Sequence, residues 1–480
     1  VIFDHKSRLL IEEKGLTVKR LKSIYEEQII FPWEDNYDQQ RMLFSTQIQE
    51  RPLFIIKAKS EATLITTLNL LKEYSLTIRI VGGRHSPGLQ NPDIFLDIST
   101  FTKIKLDKYL RVGGGATQGQ VNDFLSEYFP NYYFPGCKPN HPNTFAFPGG
   151  SAATVGVAGI STAGGIGTLR RTLGLTIDSI KGFKIIVPPK HDRGAKIITA
   201  SRSKNSNLYW ALLGGGAANF GIITEIWYRV SEINKVIFYN ISWPWESAEE
   251  ILTLWQETAP KRSNAFNEDL ALFNGSDSDT SKLEIDLVGV YVIPNHQTMK
   301  EAKKIIIQEL KYLGGNLTIA EASDYSQLYN RFVAARVYHN FSTARTILTL
   351  NTLPSRLIIN RMEMIRNKNG SYAYIGLQLM GGKIAERSSD VTAYYPRQAK
   401  FFVDIFNFWD NPVNQEFNMK WNGKTFKKLY ALNGPYSYLG FPIPHLPNHL
   451  NAYYGENKDR LIEIKHEIDP LNLLKFPGSL

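Results

Sequence analysis

The residues best suited to chemistry in this sequence begin with the stretch Ile78 to Gly88, I-R-I-V-G-G-R-H-S-P-G. A β-branched run breaks into Gly82 and Gly83, followed by a basic residue, a histidine, a serine and a proline. The two glycines let the backbone take positive φ and approach a ligand closely. Successive N–H groups in such a turn make a concave anion site. The loop is not of the dinucleotide-binding strand–glycine–helix kind, because Pro87 and the strand-like Ile94–Ile98 replace the required helix. The alternative is a tight turn carrying a surface histidine. A second glycine-rich block runs from Phe147 to Asp178, with glycine at 149, 150, 156, 159, 164, 165, 167 and 174. A third is N-L-Y-W-A-L-L-G-G-G-A-A-N-F-G-I-I, Asn207 to Ile223. Three glycine-rich loops, each at the end of a strand, suit a long ligand held largely by main-chain N–H groups. His339 and His445 form no pair with metal-ligand spacing, and the one cysteine, Cys137, excludes an internal disulfide.

The elements that must position these loops are legible in part. At 480 residues the chain holds material for about two to four domain-sized units. Its 43% apolar and 21% charged residues are an ordinary globular composition. No apolar run reaches the roughly 20 residues that span a bilayer. The first residues lack a signal-peptide core, although Val1 leaves room for a removed leader, and the compartment stays unassigned. The net charge of +10 is concentrated in Lys103–Arg111 and Lys181–Lys204. There it is interleaved with strand-like apolar residues and has no nucleic-acid motif beside it. That pattern is a solvated sheet face, or a field attracting an anionic cofactor or substrate. Leu16–Glu27 has helical spacing, Arg51–Lys57 is a strand, and Ser60 caps a helix reaching Tyr74. Thr117 with Gln120 forms a capping box for a helix through Tyr128. Strands at Ile180–Val187 and Ala195–Ala200 flank a polar tip. After Ser231, long strands such as Leu283–Val292 alternate with helices at Ser247–Thr258, Thr298–Leu313 and Pro354–Lys368. Tyr372–Met380, Phe401–Phe406 and Tyr436–Tyr438 are rich in aromatic residues. The whole reads as α+β with a large antiparallel sheet.

Together these pieces resemble the flavoproteins of the vanillyl-alcohol oxidase type, specifically the berberine-bridge-enzyme-like branch. The resemblance runs from about Tyr37 to the C-terminus. It rests on R-P-L-F-I-I, G-G-R-H-S, T-V-G-V-A-G with the later G-G-I-G, and the L-Y-W-A-L-L-G-G-G-A-A-N-F-G-I-I block. G-G-K-I near Gly381 and A-Y-Y-G-E-N-K-D-R-L with D-P-L-N complete the series. It implies an N-terminal helical segment (1–46) and a PCMH-type FAD-binding domain of two α+β subdomains (47–231). A substrate domain with a large helix-flanked antiparallel sheet (232–440) and a C-terminal segment returning to the FAD domain (441–480) would follow. The cofactor implied is FAD, bonded covalently through His85. An imidazole is a competent nucleophile near neutral pH. Val81, Gly82, Gly83, Arg84, His85 and Ser86 would cradle the pyrophosphate. Gly150, Ser151, Thr154, Val155, Gly156, Gly159 and Ile160 would pass along the isoalloxazine, and Gly221 and Ile222 would contact its other side. Asn457 would lie where the returning segment meets the flavin.

The departures from the family pattern bear on chemistry. Ala152 replaces the cysteine that gives many relatives a second flavin link, so a single histidyl link is expected. Ile160 replaces a histidine that supports the reduced cofactor. Val155 sits at a position resembling the family's oxygen gate and favours an oxidase. Phe441 and Gln378 stand where the family places a tyrosine and an acidic or tyrosine residue, and neither is a general base. Asp404, Tyr438, Tyr374 and Glu386 are the nearest replacements. Strand alternation in F-F-V-D-I-F-N-F turns either Asp404 or Val403 inward. A carboxylate buried in that apolar run would have a raised pKa. The resemblance implies hydride transfer from an alcohol, sugar or aromatic-terpenoid small molecule, with O2 or another electron acceptor and no nucleic acid or membrane. A lactone-type sugar-acid oxidoreductase, or a flavin-binding protein with altered hydride chemistry, is the alternative.

Overall fold

A computed structural model describes residues 2–44, 50–87, 91–128, 144–150, 152–233, 235–274, 281–322 and 341–480. Ser151, Cys137 and His339 lie outside the described residues. The first sheet holds β1 (Ile29–Ile30), β2 (Phe54–Lys57), β3 (Ile78–Val81) and β4 (Ile94–Asp97) in the order β1-β2-β4-β3, with β2 and β3 parallel to β4. Phe54, Ile55, Ile56, Ile94, Phe95 and Leu96 are all fully buried. That unbroken run is what a parallel strand covered on both faces requires. The helix Glu61–Tyr74 supplies part of the cover. Its first turn is capped by Ser60 Oγ, which accepts from Thr63 N at 3.2 Å, and Leu64, Leu68 and Leu71 line its buried stripe.

The second sheet is antiparallel, with β5 (Ile104–Leu106), β6 (Leu110–Gly113), β8 (Ile180–Val187), β9 (Lys196–Ser201) and β10 (Ile222–Tyr228) in the order β5-β6-β10-β8-β9. A small pair joins β7 (Thr144–Ala146) to β11 (Ser231–Ile233). The capping box opens the helix Gln118–Tyr128 as expected, with Gln120 Oε1 accepting from Thr117 N at 2.9 Å. The two later glycine-rich stretches depart from the expectation of loops at strand ends. The second folds into short helices at Val157–Ala163, Arg170–Leu173 and Thr176–Ser179, and the third begins as a helix, Ser206–Leu212. In the second stretch, Gly164, Gly165 and Gly174 take positive φ between those helices, so the glycines act there as hinges between turns.

The third sheet has seven antiparallel strands: β12 (Val236–Trp243), β13 (Phe266–Asn274), β14 (Leu283–Val292), β15 (Asn316–Ala322), β16 (Phe341–Thr349), β17 (Tyr372–Leu379) and β18 (Phe401–Trp409). Their order is β15-β12-β14-β13-β17-β18-β16. One face, including Leu270, Ile285, Ile375 and Ile405, is buried in the core beneath the helices Ala248–Thr258, Met299–Leu310 and Ser355–Glu363. Tyr436–Tyr438 forms no strand beyond a single bridge to Leu348.

The C-terminal segment is clasped by one buried cation. Lys465, on the helix Lys458–Ile468, donates to Asn219 O and Asp469 Oδ2 at 2.8 Å and to Leu474 O at 2.9 Å. Burial pushes the lysine pKa down while Asp469 pulls it back up. An ammonium taken from water persists only with such a full set of partners. Replacing Lys465 by Met strands the Asp469 carboxylate and should cost about 3–5 kcal/mol in denaturant unfolding. The Lys465→Met/Asp469→Leu double variant should recover part of that loss.

Candidate functional site

The loop after β3 is shaped differently from its sequence reading. Positive φ falls on Arg84 (φ 61), not on Gly82 or Gly83. The unusual backbone is held by the arginine's own side chain, which donates to Asp97 Oδ2 at 2.6 Å, to Met42 O at 3.3 Å and to Gln40 O. Gly83 serves the close approach. A Cβ there would collide with the backbone of Gly156 and Thr154, and one on Gly156 would meet Gly83 N. That contact brings His85 onto the second glycine-rich stretch, with Nε2 2.7 Å from Thr154 Oγ1. The imidazole stacks on Phe44 with ring centroids 4.3 Å apart. Val81 is buried at the strand end, and Ser86 is exposed.

The second stretch continues the surface. Gln118 bridges its entrance, accepting from Gly150 N and donating to Ala152 O at 3.3 Å. The Ile160 side chain packs beside Gly150, and a Cβ on Gly159 would meet nothing within 4 Å. Val155 is held through its carbonyl, which accepts from Gln118 N at 2.9 Å. Farther along, Gly165 N donates to Tyr438 Oη at 3.0 Å. Arg170, 2% exposed, donates to Leu379 O at 2.9 Å, to Glu268 O at 2.8 Å and to the Asp269 carboxylate. Arg171 reaches Phe266 O and Arg262 O, each at 2.9 Å. These two arginines fasten the glycine-rich stretch to the seven-stranded sheet. Sequence reasoning passed over them, although adjacent arginines in a glycine-rich apolar stretch were a visible anomaly.

On the sheet face below, register gathers the candidate acid–base residues. Asp404 on β18 lies opposite Gly376 on β17 and Thr346 on β16. Gln378, two residues from Gly376 on the same face, donates through Nε2 to Asp404 Oδ2 at 3.1 Å and Oδ1 at 3.4 Å. The Tyr374 hydroxyl lies over Gly376, where an added Cβ would strike it. Phe402 and Phe406 flank Asp404 along the strand. Phe441 stands 5.5 Å from Phe406, and Tyr438 stands 5.4 Å from Phe402, centroid to centroid. Asp404 is only 6% exposed, and burial pushes its pKa up to about 8, Asp269 adding to the rise while Gln378 and Arg170 oppose it. Val403, whose burial was set against that of Asp404, is fully buried too, because β18 is covered on both faces.

The remaining candidates fall elsewhere or do other work. Burial pushes the Tyr438 hydroxyl up to about 12, and its oxygen accepts from Gly165 N. It therefore anchors the glycine-rich stretch to the aromatic cluster and is poorly suited as a base. Glu386 is half exposed and pairs with Lys383 at 2.7 Å, away from Asp404. Gly221 and Ile222 are buried against Ile185 and Ile186 of β8. Ile222 shares a buried cluster with Ile78 of β3 and Ile98, and Gly114 N nearby donates to Thr224 O at 2.9 Å. Asn457 spends its amide nitrogen on Ser389 O at 2.7 Å and Thr392 O at 3.1 Å, holding the chain that precedes β18. Among the described residues no cluster of histidine, cysteine or carboxylate could hold a metal ion. No helix there is long and apolar enough to cross a membrane.

Residues 52–190 match the family model described as FAD binding domain, and residues 437–480 match berberine and berberine like. YgaK of Bacillus subtilis (strain 168), described as an uncharacterized FAD-linked oxidoreductase, is 26% identical over 454 residues, spanning 93% of this chain and 95% of that protein. Berberine bridge enzyme-like 1 of Arabidopsis thaliana is 23% identical, spanning 91% of this chain and 85% of that protein. In fold, the chain superposes on chitooligosaccharide oxidase with a TM-score of 0.80 at 17% identity, covering 96% of this chain and 98% of that one. Fold and site thus define an FAD-linked oxidoreductase with an α+β architecture. Within that class, the chain is similar along nearly its whole length to berberine-bridge-enzyme-like proteins, and its last residues match the berberine-like module.

The residues present fit FAD. The two backbones meet at Gly83 and Gly156 with no space for side chains, and open space stands over Gly159. If Gly83 serves close approach and Gly159 lines the cofactor's path, their alanine variants should part. Gly83→Ala forces two backbones apart and should lower stability by at least about 1–3 kcal/mol. Gly159→Ala, on a helix and with room for its methyl, should leave the melting temperature unchanged or slightly raised while reducing bound flavin. Thermal unfolding and the flavin-to-protein absorbance ratio check both.

Proposed function

We propose that the protein oxidises a hydroxyl-bearing small molecule with a flat or ring-shaped body, an alcohol, sugar or aromatic-terpenoid. Asp404 is the general base and dioxygen the final electron acceptor. The observation that carries this reading is the Asp404–Gln378 pair on an aromatic sheet face. It supplies the carboxylate that the Phe441 and Gln378 substitutions take from the family's usual positions. FAD, when bound, supplies a two-electron acceptor able to take up a hydride from carbon. Asp404, once ionised, accepts the proton of the substrate hydroxyl, while Gln378 Nε2 holds the carboxylate in place. The rings of Phe402, Phe406 and Phe441 exclude water and offer a stacking surface. The Tyr374 hydroxyl can hydrogen-bond the substrate oxygen. The likeness to chitooligosaccharide oxidase supports the sugar arm of this reading, and Val155 beside the cofactor path supports dioxygen. Val81 to Ser86 would hold the pyrophosphate and Gly150 to Ile160 the isoalloxazine. His85 would carry the covalent link, with Ala152 leaving no second one.

With a pKa of about 8, Asp404 is mostly protonated at neutral pH, and its base form grows as pH rises. The rate of flavin reduction by substrate should therefore climb through about pH 8. Asp404→Asn should lose that dependence and slow reduction by roughly 10²–10⁴-fold. Stability gives an independent control. The native carboxyl holds its proton up to about 8, whereas an unfolded aspartate loses it near 3.9. Stability from this group is therefore lost as pH rises from about 4 to 8. Asp404→Asn should consequently raise the melting temperature at pH 8 and leave it unchanged near pH 4. Stopped-flow reduction with a panel of alcohols and sugars tests the reading. A wild-type rate in the Asp404→Asn variant would remove Asp404 from catalysis, and no reduction by any compound would favour altered hydride chemistry.

A further inference from the structure

His85 and Thr154 face each other across a close backbone approach, each two residues from the glycine that makes the approach possible. Gly83 and Gly156 leave no space for a side chain between the two turns, so the distance between the turns is set by backbone. Across it, His85 Nε2 and Thr154 Oγ1 stand 2.7 Å apart. The Phe44 ring lies nearly parallel to the imidazole, at 18° and 4.3 Å, and limits its rotation. An imidazole nitrogen already that close to another heavy atom has no room for a new bond to carbon. A bond to the cofactor must then form at Nδ1, and a neutral ring with its lone pair on Nδ1 carries its proton on Nε2.

We propose that Thr154 is the positioning residue for covalent attachment of FAD: its hydroxyl accepts the Nε2–H of His85 and holds the ring in the tautomer whose nucleophilic lone pair is on Nδ1. This rests on the reading that His85 carries the covalent link. In the attachment, a C–N bond forms between Nδ1 and the 8α carbon of FAD. One C–H bond of that carbon breaks, and the Nε2 proton departs. The two electrons released pass into the ring system, and dioxygen removes them with the two protons as hydrogen peroxide. Positive charge develops on the imidazole as its lone pair is used, and the Thr154 oxygen stabilises it through the same hydrogen bond. The relation is that of a nucleophile's ring held by a third group.

The test uses purified holoprotein, with total flavin measured from absorbance and covalent flavin from what stays with the acid-precipitated protein. Thr154→Val keeps the shape and removes the hydroxyl, and Thr154→Ser keeps the hydroxyl. The expected result is an acid-stable share of the bound flavin lowered by about 10–100-fold in Thr154→Val, and its restoration in Thr154→Ser. Peptide mass spectrometry should place the residual adduct on His85. Acid-stable flavin at the wild-type level in Thr154→Val would overturn the proposal and leave the histidyl link standing. So would failure of Thr154→Ser to restore it, or loss of total flavin from both variants, which would make Thr154 a binding or folding residue. Release of flavin from the wild-type protein by acid would instead remove the covalent link itself, and the role of Thr154 with it.

Discussion

Two backbone turns that meet more closely than any side chain permits organise this molecule. The turn at Gly83 ends the parallel sheet, and the turn at Gly156 opens the helical glycine-rich stretch. Their contact fixes one against the other without a flexible intermediary. From there the linkage is continuous. His85 meets Thr154, Gly165 N reaches Tyr438, and Arg170 and Arg171 carry the stretch onto carbonyls of the seven-stranded sheet. Buried arginines spending their donors on main-chain oxygens are held more rigidly than surface ion pairs. The site's two halves, the glycine-lined path and the aromatic sheet face, thereby keep a set relation.

The sheet face converts that rigidity into chemistry through burial. Asp404 is flanked across the strands by Gly376 and Thr346 and along its own strand by phenylalanines, so little around it solvates a charge. Among the described residues only Gln378 donates to it directly. Arg170 would favour ionisation, but its guanidinium is committed to Asp269 and main-chain carbonyls, and Asp269 works against it. The outcome is a carboxyl balanced between its two protonation states near physiological pH, the property a general base needs.

Local signals carried much of the fold. Ser60 and the Thr117–Gln120 box mark helix starts, and Leu283–Val292 is the observed strand to the residue. Parity along F-F-V-D-I-F-N-F put Asp404 and Val403 on opposite faces and left open which one turns inward. The hydrogen bond between Gln378 and Asp404 was not legible, because pairing β17 with β18 is a matter of register set by tertiary packing. The placement of positive φ on Arg84 in place of the glycines has a similar cause. Asp97 and the carbonyls of Gln40 and Met42, distant in sequence, hold the arginine there. Glycine density in residues 147–178 suggested loops, yet Arg170 and Arg171 lie in a helical turn anchored to a sheet more than ninety residues downstream. The role of Asn457 was hidden for the same reason, since its partners at Ser389 and Thr392 come from another part of the chain.

The most direct measurement is the protonation state of Asp404 itself, read from infrared difference spectra between the wild-type protein and Asp404→Asn across a pH series. The carbonyl stretch of a protonated carboxylic acid should be present at pH 7 and vanish with a midpoint of about 8. A midpoint near the ordinary aspartate value of about 3.9 would mean that the carboxylate is solvated and ionised throughout. That result would contradict the account of a buried base on an aromatic face.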